Sequence, residues 1–318
     1  MRALVFLLLA LQAAPGVTQS WPNRPLHLVV GFAPGGAADF VSRAVAEPLS
    51  RSLGQPVIID NKPGAGSSIA AEFVAHSPAD GYTMLIASPS SILVNPLLNK
   101  SAFRPTRELA PVTKVSSSPL VAAVNPSLGI TRLAELIAYA KKNPGKLNFA
   151  TSGNGSAPHL AAVLFERVAG VAMVHVPFKG GGPAVQSVLA GDTQLSFATP
   201  PSVLPLVQAG RLRALAITSR NASPLVPGVP GMAEAGLPDY EISFWYGFFV
   251  PAGTPPAVVK RLFDETKAAL ALPEVSRALA KEGTEAVASK SPEDFGAFIA
   301  EDAKLWARLV KDSGAKTD

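Results

Sequence analysis

Two runs with the composition of buried strands end in glycine-rich turns that open directly onto helical patterns: VVGFAPGGAAD (Val29–Asp39) and NFATSGNGSAPHL (Asn148–Leu160). The first backbone N–H groups of a helix lack an intrahelical acceptor and sit at the positive end of its dipole. Glycines let a ligand approach them, so each turn can cradle an anion without a charged side chain. In the first turn, Pro34, Gly35 and Gly36 precede Ala37 and leave the helix start unobstructed. In the second, Thr151, Ser152 and Ser156 surround Gly153 and Gly155 and offer hydroxyl donors. Each turn also has a plainer reading, a tight strand-to-helix connection whose hydroxyls cap the helix. His159, on roughly the same helical face as Ser156, is either an anion donor or a satisfied core histidine.

Two further segments can reach the same place. Ser88, Ser90 and Ser91 follow the strand-like run Thr83–Ala87 at its C-terminal end, where open α/β sheets place ligands; they also read as turn residues. PFKGGGPA (Pro177–Ala184) is a third strand–glycine–helix junction, whose Lys179 either meets an acid or stays solvated. The aromatic run Phe244–Phe249 reads as a strand crossing between lobes, with Trp245 at most a pocket wall. A helix terminus contributes about 0.3–2 kcal/mol towards an anion, whereas micromolar binding needs about 8 kcal/mol. Dipoles alone are insufficient, which favours a cleft that closes between two lobes and adds direct hydrogen bonds, bridging water and solvent exclusion.

Reactive constellations are missing from the sequence. The nearest approach to a nucleophile elbow, Gly153-Asn154-Gly155-Ser156, has the wrong order. The dinucleotide fingerprint fails at its third glycine in both candidate places, where Ile69 and Pro158 stand. The histidines at 27, 76, 159 and 175 are dispersed, so the sequence calls for no metal and no cofactor. The expectation is a protein that holds a small anion and has no catalytic residues. A periplasmic enzyme acting on a small acid is the weaker alternative.

The elements that must position these turns follow from the rest of the chain. Arg2, an apolar stretch from Ala3 to Ala14, then Pro15 and Gly16 read as a cleaved export signal over residues 1–20, with Thr18 and Ser20 before the cut. The expected location is the periplasm, and the absence of cysteine leaves stability to the core. With 318 residues and 48% hydrophobic composition, two lobes are favoured over one. The net charge of +5 comes without a basic run interleaved with aromatics, so nucleic acid is not an expected partner.

Strand-like runs alternate with helical patterns: Leu26–Phe32, Val57–Asp60, Thr83–Ala87, Leu147–Ala150, Ala172–Pro177, Leu195–Ala198 and Leu212–Thr218. This predicts an α/β fold with two lobes, each a mainly parallel sheet flanked by helices, joined by two crossover strands in the manner of a type II periplasmic binding protein. The expected division is 21–123 plus 244–318 for lobe 1 and 124–243 for lobe 2. Val41, Val45, Leu49 and Leu53 form one helical face, and Asp39 and Arg43 lie four apart as a structural pair. After Pro251 the pattern predicts helices without strands, with Thr254-Pro255 and Ser291-Pro292 at helix starts.

Read in order, these segments resemble the extracytoplasmic receptors of tripartite tricarboxylate transporters, the Bug receptor family. The resemblance rests on GFAPGGAAD (Gly31–Asp39), VIIDNKPGAGSSIAA (Val57–Ala71), HSPADGYTMLIAS (His76–Ser88), NPGKLNFATSGNGSAPHLAA (Asn143–Ala162), VPFKGGGPA (Val176–Ala184), AGRLRALAITS (Ala209–Ser219) and FWYGFFVPAGTP (Phe244–Pro255). It implies a monomeric periplasmic receptor that closes on a small organic acid and delivers it to membrane permease subunits. A subunit that presents the ligand to a membrane signalling protein is the alternative. The resemblance also implies that loop amides and water hold the acid, with Pro34–Ala37 from one lobe and Thr151–His159 from the other. Relatives bind di- and tricarboxylates, amino acids, nicotinate-type acids or terephthalate. Many place Phe-Asp where this chain has Ala198 and Thr199. Without that carboxylate a buried ammonium lacks a counter-charge, which disfavours an amine-bearing ligand.

Overall fold

A computed structural model describes residues 21–98 and 103–313; the expected export signal lies outside the described residues. In chain order the strands are β1 (Leu26–Val30), β2 (Val57–Asn61), β3 (Thr83–Ala87), β4 (Leu109–Pro119), β5 (Val121–Val124), β6 (Asn148–Thr151), β7 (Val174–Pro177), β8 (Leu195–Ala198), β9 (Arg213–Ile217), β10 (Ser243–Pro251) and β11 (Glu285–Ala286). The helices are α1 (Ala37–Leu53), α2 (Ser68–Ala75), α3 (Asn95–Leu98), α4 (Pro105–Glu108), α5 (Leu133–Lys142), α6 (Ala157–Ala169), α7 (Gly181–Ala190), α8 (Pro200–Gln208), α9 (Pro256–Ala271), α10 (Pro273–Lys281) and α11 (Pro292–Ser313).

The strands form two sheets, ordered β11-β4-β10-β3-β1-β2 and β7-β6-β8-β5-β9. Each is mixed. β1, β2 and β3 run parallel, as do β6, β7 and β8, while β10, β4 and β11 in one sheet and β5 and β9 in the other add antiparallel pairs. Of the parallel strands, β1, β2, β6 and β7 are followed by glycine-containing turns and helices, and residues just after β1, β3, β6 and β8 (Phe32, Ser90, Ser152 and Thr199) line one cavity between the sheets. The antiparallel strands include the crossings. β4 runs through Leu120 straight into β5 of the second sheet, so the chain changes sheets four residues ahead of the expected Val124; β10 brings it back at Ser243.

Burial explains the helix positions. Val41, Val45, Leu49 and Leu53 of α1 are all buried, as the spacing predicts, and α9 and α10 pack against α1. On α11, Phe295, Ile299, Trp306 and Leu309 are buried, and the helix lies across both β4 and α6. Ser291 caps α11 by accepting the N–H of Asp294 at 3.2 Å. Two expectations are corrected. Helix α9 begins one residue later than predicted, with Pro255 as its cap, because the Thr254 hydroxyl donates back to the Pro251 carbonyl at 2.8 Å. A strand does follow Pro251: β11 is two residues long, too short to leave a periodic signal, and pairs with β4. Among the described residues no helix is long and apolar enough to cross a membrane.

Candidate functional site

The starts of α1, α6, α7 and α8 converge on one cavity between the sheets. Gly36, Ala37 and Ala38 line it from the first sheet's side, and Ala157, Pro158, Gly181 and Thr199 from the second. Ser90, Ser152, Ala184, Ser196, Ala198, Phe32, Phe244 and Tyr246 complete the lining, which contains no Asp, Glu, Lys or Arg. Its volume is about 20 Å³, room for little more than a single water. Entry of any organic acid therefore requires the lobes to part.

The amides around the cavity are disposed unevenly. Ahead of α1, Gly35 takes a left-handed conformation with φ of 83° and donates its N–H to Asp39 Oδ2 at 3.2 Å. Asp39 is 5% exposed and also accepts from Arg43 at 2.9 and 3.0 Å and from Asn61 at 3.2 Å. Burial opposes its charge, but the bonds from Arg43, the Gly35 amide and Asn61 outweigh that cost and hold its carboxyl below the ordinary value. The Ala38 N–H is taken by the Tyr246 hydroxyl, whose burial pushes its own pKa upward. The Gly36 and Ala37 amides, at the cap and first position of α1, have no acceptor among the described residues.

From Gly155 to His159, the turn ahead of α6 spends its amides on the protein's own acceptors. Gly153 donates to Thr151 Oγ1 at 3.2 Å, Gly155 to His159 Nδ1 at 3.1 Å, and Ser156 to the Gly153 carbonyl at 3.1 Å. His159 donates its N–H to Ser156 Oγ at 3.4 Å, and Ala157 donates to Ser90 Oγ, from the other lobe, at 2.9 Å. Pro158 has none to give. His159 is thus a buried acceptor that shapes the turn. Its ring stacks on His175 at 4.0 Å between centroids, and His175 Nε2 lies 2.6 Å from Thr151 Oγ1. In the expected second cradle the amides from Gly155 to His159 are thus already taken, while Ser152 lines the cavity.

The third junction is disposed differently. Gly180 caps α7 with φ of 150°, and the Gly181 and Gly182 amides have no acceptor among the described residues. These glycines meet the first turn directly: a Cβ at Gly36 would stand 3.5 Å from the Gly181 nitrogen, and one at Gly182 only 3.2 Å from the Gly35 carbonyl oxygen. Beside this seam the Ala33 N–H donates to the Lys179 carbonyl at 2.9 Å. Two helix starts therefore confront each other across the closed cleft with four unspent amides.

The remaining sequence-predicted residues fall on both sides of the cavity wall. Ser90, Ser152 and Thr199 line it, Thr199 with its hydroxyl 3.0 Å from Ser202 Oγ. Pro34 is exposed at the rim. Lys179 is also exposed and lies with Gly64–Ser67 around a separate outer pocket. Ser88 is buried and does not reach the cavity. Trp245 is no wall. It points to α11, where its indole N–H donates to Asp302 at 2.7 Å and its ring meets Phe295 and Phe298 edge-on. Strand alternation is the reason, since Phe244 and Tyr246 take the opposite face of β10 and line the cavity instead. Sequence reading missed those two and the Gly181 and Gly182 amides; period-two alternation and the third glycine junction were the available signals. Among the described residues no group of three or more His, Asp or Glu could hold a metal ion.

Comparison with known proteins identifies the family and the fold. Residues 41–315 match the sequence profile of the family described as tripartite tricarboxylate transporter family receptor. The chain is similar to protein BugT of Bordetella pertussis, with 38% identity over 314 residues, 98% of this chain and 96% of BugT. Among solved structures it is similar to an R. palustris protein with adipate, at a TM-score of 0.89, 34% identity and coverage of 93% of this chain and 99% of that one. It is also similar to MatC from Rhodopseudomonas palustris with bound malate, at a TM-score of 0.86, 30% identity and coverage of 91% and 100%. Profile, relatives and two-lobed fold together place the chain in the tripartite tricarboxylate transporter receptor family, the Bug-type solute receptors.

Proposed function

We propose that this protein is a periplasmic receptor that closes its two lobes on a small organic carboxylate without an amino group, performs no catalytic step, and passes the acid to the membrane permease of a tripartite tricarboxylate transporter. The observation that carries this reading is the pair of opposed helix starts, α1 and α7, whose unspent amides at Gly36, Ala37 and Gly181 border an uncharged cavity, with that of Gly182 at the seam beside it. Two positive dipole ends brought together in a dry cleft repel, and a carboxylate between them turns repulsion into several charge-assisted hydrogen bonds. Adipate and malate in the related structures support a di-acid or similar ligand. Ala198 and Thr199 both border the cavity and bring no carboxylate to it, so an ammonium group would be buried without a counter-charge. The export-signal pattern at the N-terminus and the family support the periplasmic location and the permease partner.

A thermal-shift screen of adipate, malate, citrate, aromatic acids, glutamate and aspartate tests the reading. A ligand at 100 times its dissociation constant stabilises by about 2.7 kcal/mol. The expected result is a shift with an acid lacking an amine and a smaller one with glutamate. A largest shift with glutamate or aspartate, or none with any acid, overturns it.

A further inference from the structure

Both chain crossings between the lobes are tied to one residue. Thr218 follows β9 and has no exposed surface. Its N–H donates to the Leu120 carbonyl at 2.9 Å, and its carbonyl accepts the Ile242 N–H at 3.1 Å. Its hydroxyl accepts the Leu120 N–H at 2.7 Å and donates to the Ile242 carbonyl at 2.8 Å. Leu120 is the link between β4 and β5, and Ile242 is the residue before β10. Four hydrogen bonds thus fasten the outgoing and returning strands to the end of β9. One residue further along each crossing, Pro119 and Ser243 are paired with each other in the first sheet.

We propose that Thr218 is a hinge pin, a positioning residue that keeps both crossings with the second lobe as the cleft opens. The lobes then turn about the short stretch between the Thr218 ties and the Pro119–Ser243 pair. The inference rests on the receptor reading above. Its physical motive lies at the seam, where a Cβ on Gly182 would already stand 3.2 Å from the opposite backbone. Two independently flexing crossings would let the lobes shear, and the α1 and α7 amides would not return to register. A single fastened axis restores them on each closure. Threonine is the residue for the task because one hydroxyl satisfies a buried donor and a buried acceptor on different strands, which an apolar side chain would orphan.

The chain contains no cysteine, so Glu72→Cys and Lys146→Cys, both at exposed positions on opposite lobes, give a labelled pair that reads interlobe distance. In ligand-free protein, Thr218→Val should broaden the distance distribution, and it should weaken adipate binding about fivefold or more. Thr218→Ser, which keeps the hydroxyl, should restore both. A lowered Tm with distribution and affinity unchanged overturns the pin and leaves Thr218 as packing. If Thr218→Val does not fold, hydrogen exchange on the unsubstituted, ligand-free protein decides: the Leu120 and Ile242 amides should be as protected as that of Ala216 inside β9, and faster exchange overturns the proposal. Failure of adipate to bind the unsubstituted protein counts against adipate as ligand, while the ligand-free distance and exchange readings still decide the pin.

Discussion

The turns ahead of α1 and α6 are built from the same parts, a strand end, glycines and a helix start, yet they dispose of their amides differently. Ahead of α1 the side-chain acceptor is Asp39, which takes only the Gly35 amide and leaves Gly36 and Ala37 facing the cavity. Ahead of α6 the acceptors are Thr151, His159, Ser156 and, from the other lobe, Ser90, and no amide of that turn from Gly155 to His159 is left over. Glycine permits the approach of an anion, but the acceptors nearby decide whether an anion is wanted. On the function proposed above, the pairing of helix starts that would hold an acid is therefore α1 with α7, with α6 supporting the wall beside them.

The largest blow to that arrangement should come from Gly182→Val. Gly182 does not need a left-handed conformation, so the side chain fits its own helix, but its Cβ would meet the Gly35 and Pro34 carbonyls at 3.2–3.4 Å. Overpacking of this kind costs about 1–3 kcal/mol, and here the cost falls only on the closed form. Calorimetry should show affinity for adipate about five- to 150-fold weaker, with the Tm of the ligand-free protein preserved. Equal losses of ligand-free Tm would mean that the seam exists in the open form too, and would break the assignment of α7 to closure.

A smaller effect of informative sign is expected from Ser90→Ala. Its hydroxyl accepts the Ala157 N–H across the lobes at 2.9 Å, and one such bond is worth about 0.5–1.5 kcal/mol. Binding should weaken about two- to tenfold because the closed form loses an interlobe bond. Tighter binding would show that the freed α6 amide joins the ligand, and the contrast between the turns would collapse.

Asp39→Asn tests the first turn through pH. The folded carboxyl lies below its ordinary value, so its charge stabilises the fold above the unfolded pKa of about 3.9, and that contribution is lost as pH falls through the folded value. The unsubstituted protein should exceed the Asn variant in Tm from neutral pH down to about pH 4, and the gap should close in more acid solution. A gap that persists unchanged at low pH would assign the loss to packing and not to the charge.

Strands with an apolar core and a glycine turn at the end were legible from the chain, because their burial and punctuation are local. β4 was not. Its sequence LAPVTKVSSSP carries two prolines and three serines, poor strand formers, and it is a strand because β10 and β11 flank it on either side. The fate of the second turn was hidden for a similar reason: Ser90 stands 67 residues from the amide it accepts. What a local pattern shows is which backbone groups need partners, and the partner is set by the fold.

Trp245 separates the two faces of one strand and should give the smallest change in binding. Its neighbours Phe244 and Tyr246 face the cavity, while its own indole N–H donates to Asp302, which also accepts from Trp306 at 2.8 Å. Burial pushes the Asp302 carboxyl above its ordinary value, and the two indole donors partly offset that cost. Trp245→Phe removes one donor from a buried carboxylate, a loss of about 1.5–3 kcal/mol if the group stays charged, and it does so on the far side of the sheet from the cleft. The Tm should therefore fall while affinity for adipate holds. Asp302 should also titrate higher in the variant than in the unsubstituted protein, readable by carboxyl NMR. A drop in affinity with an unchanged Tm would place Trp245 on the ligand's side of β10, and alternation along that strand would no longer explain which aromatics line the site.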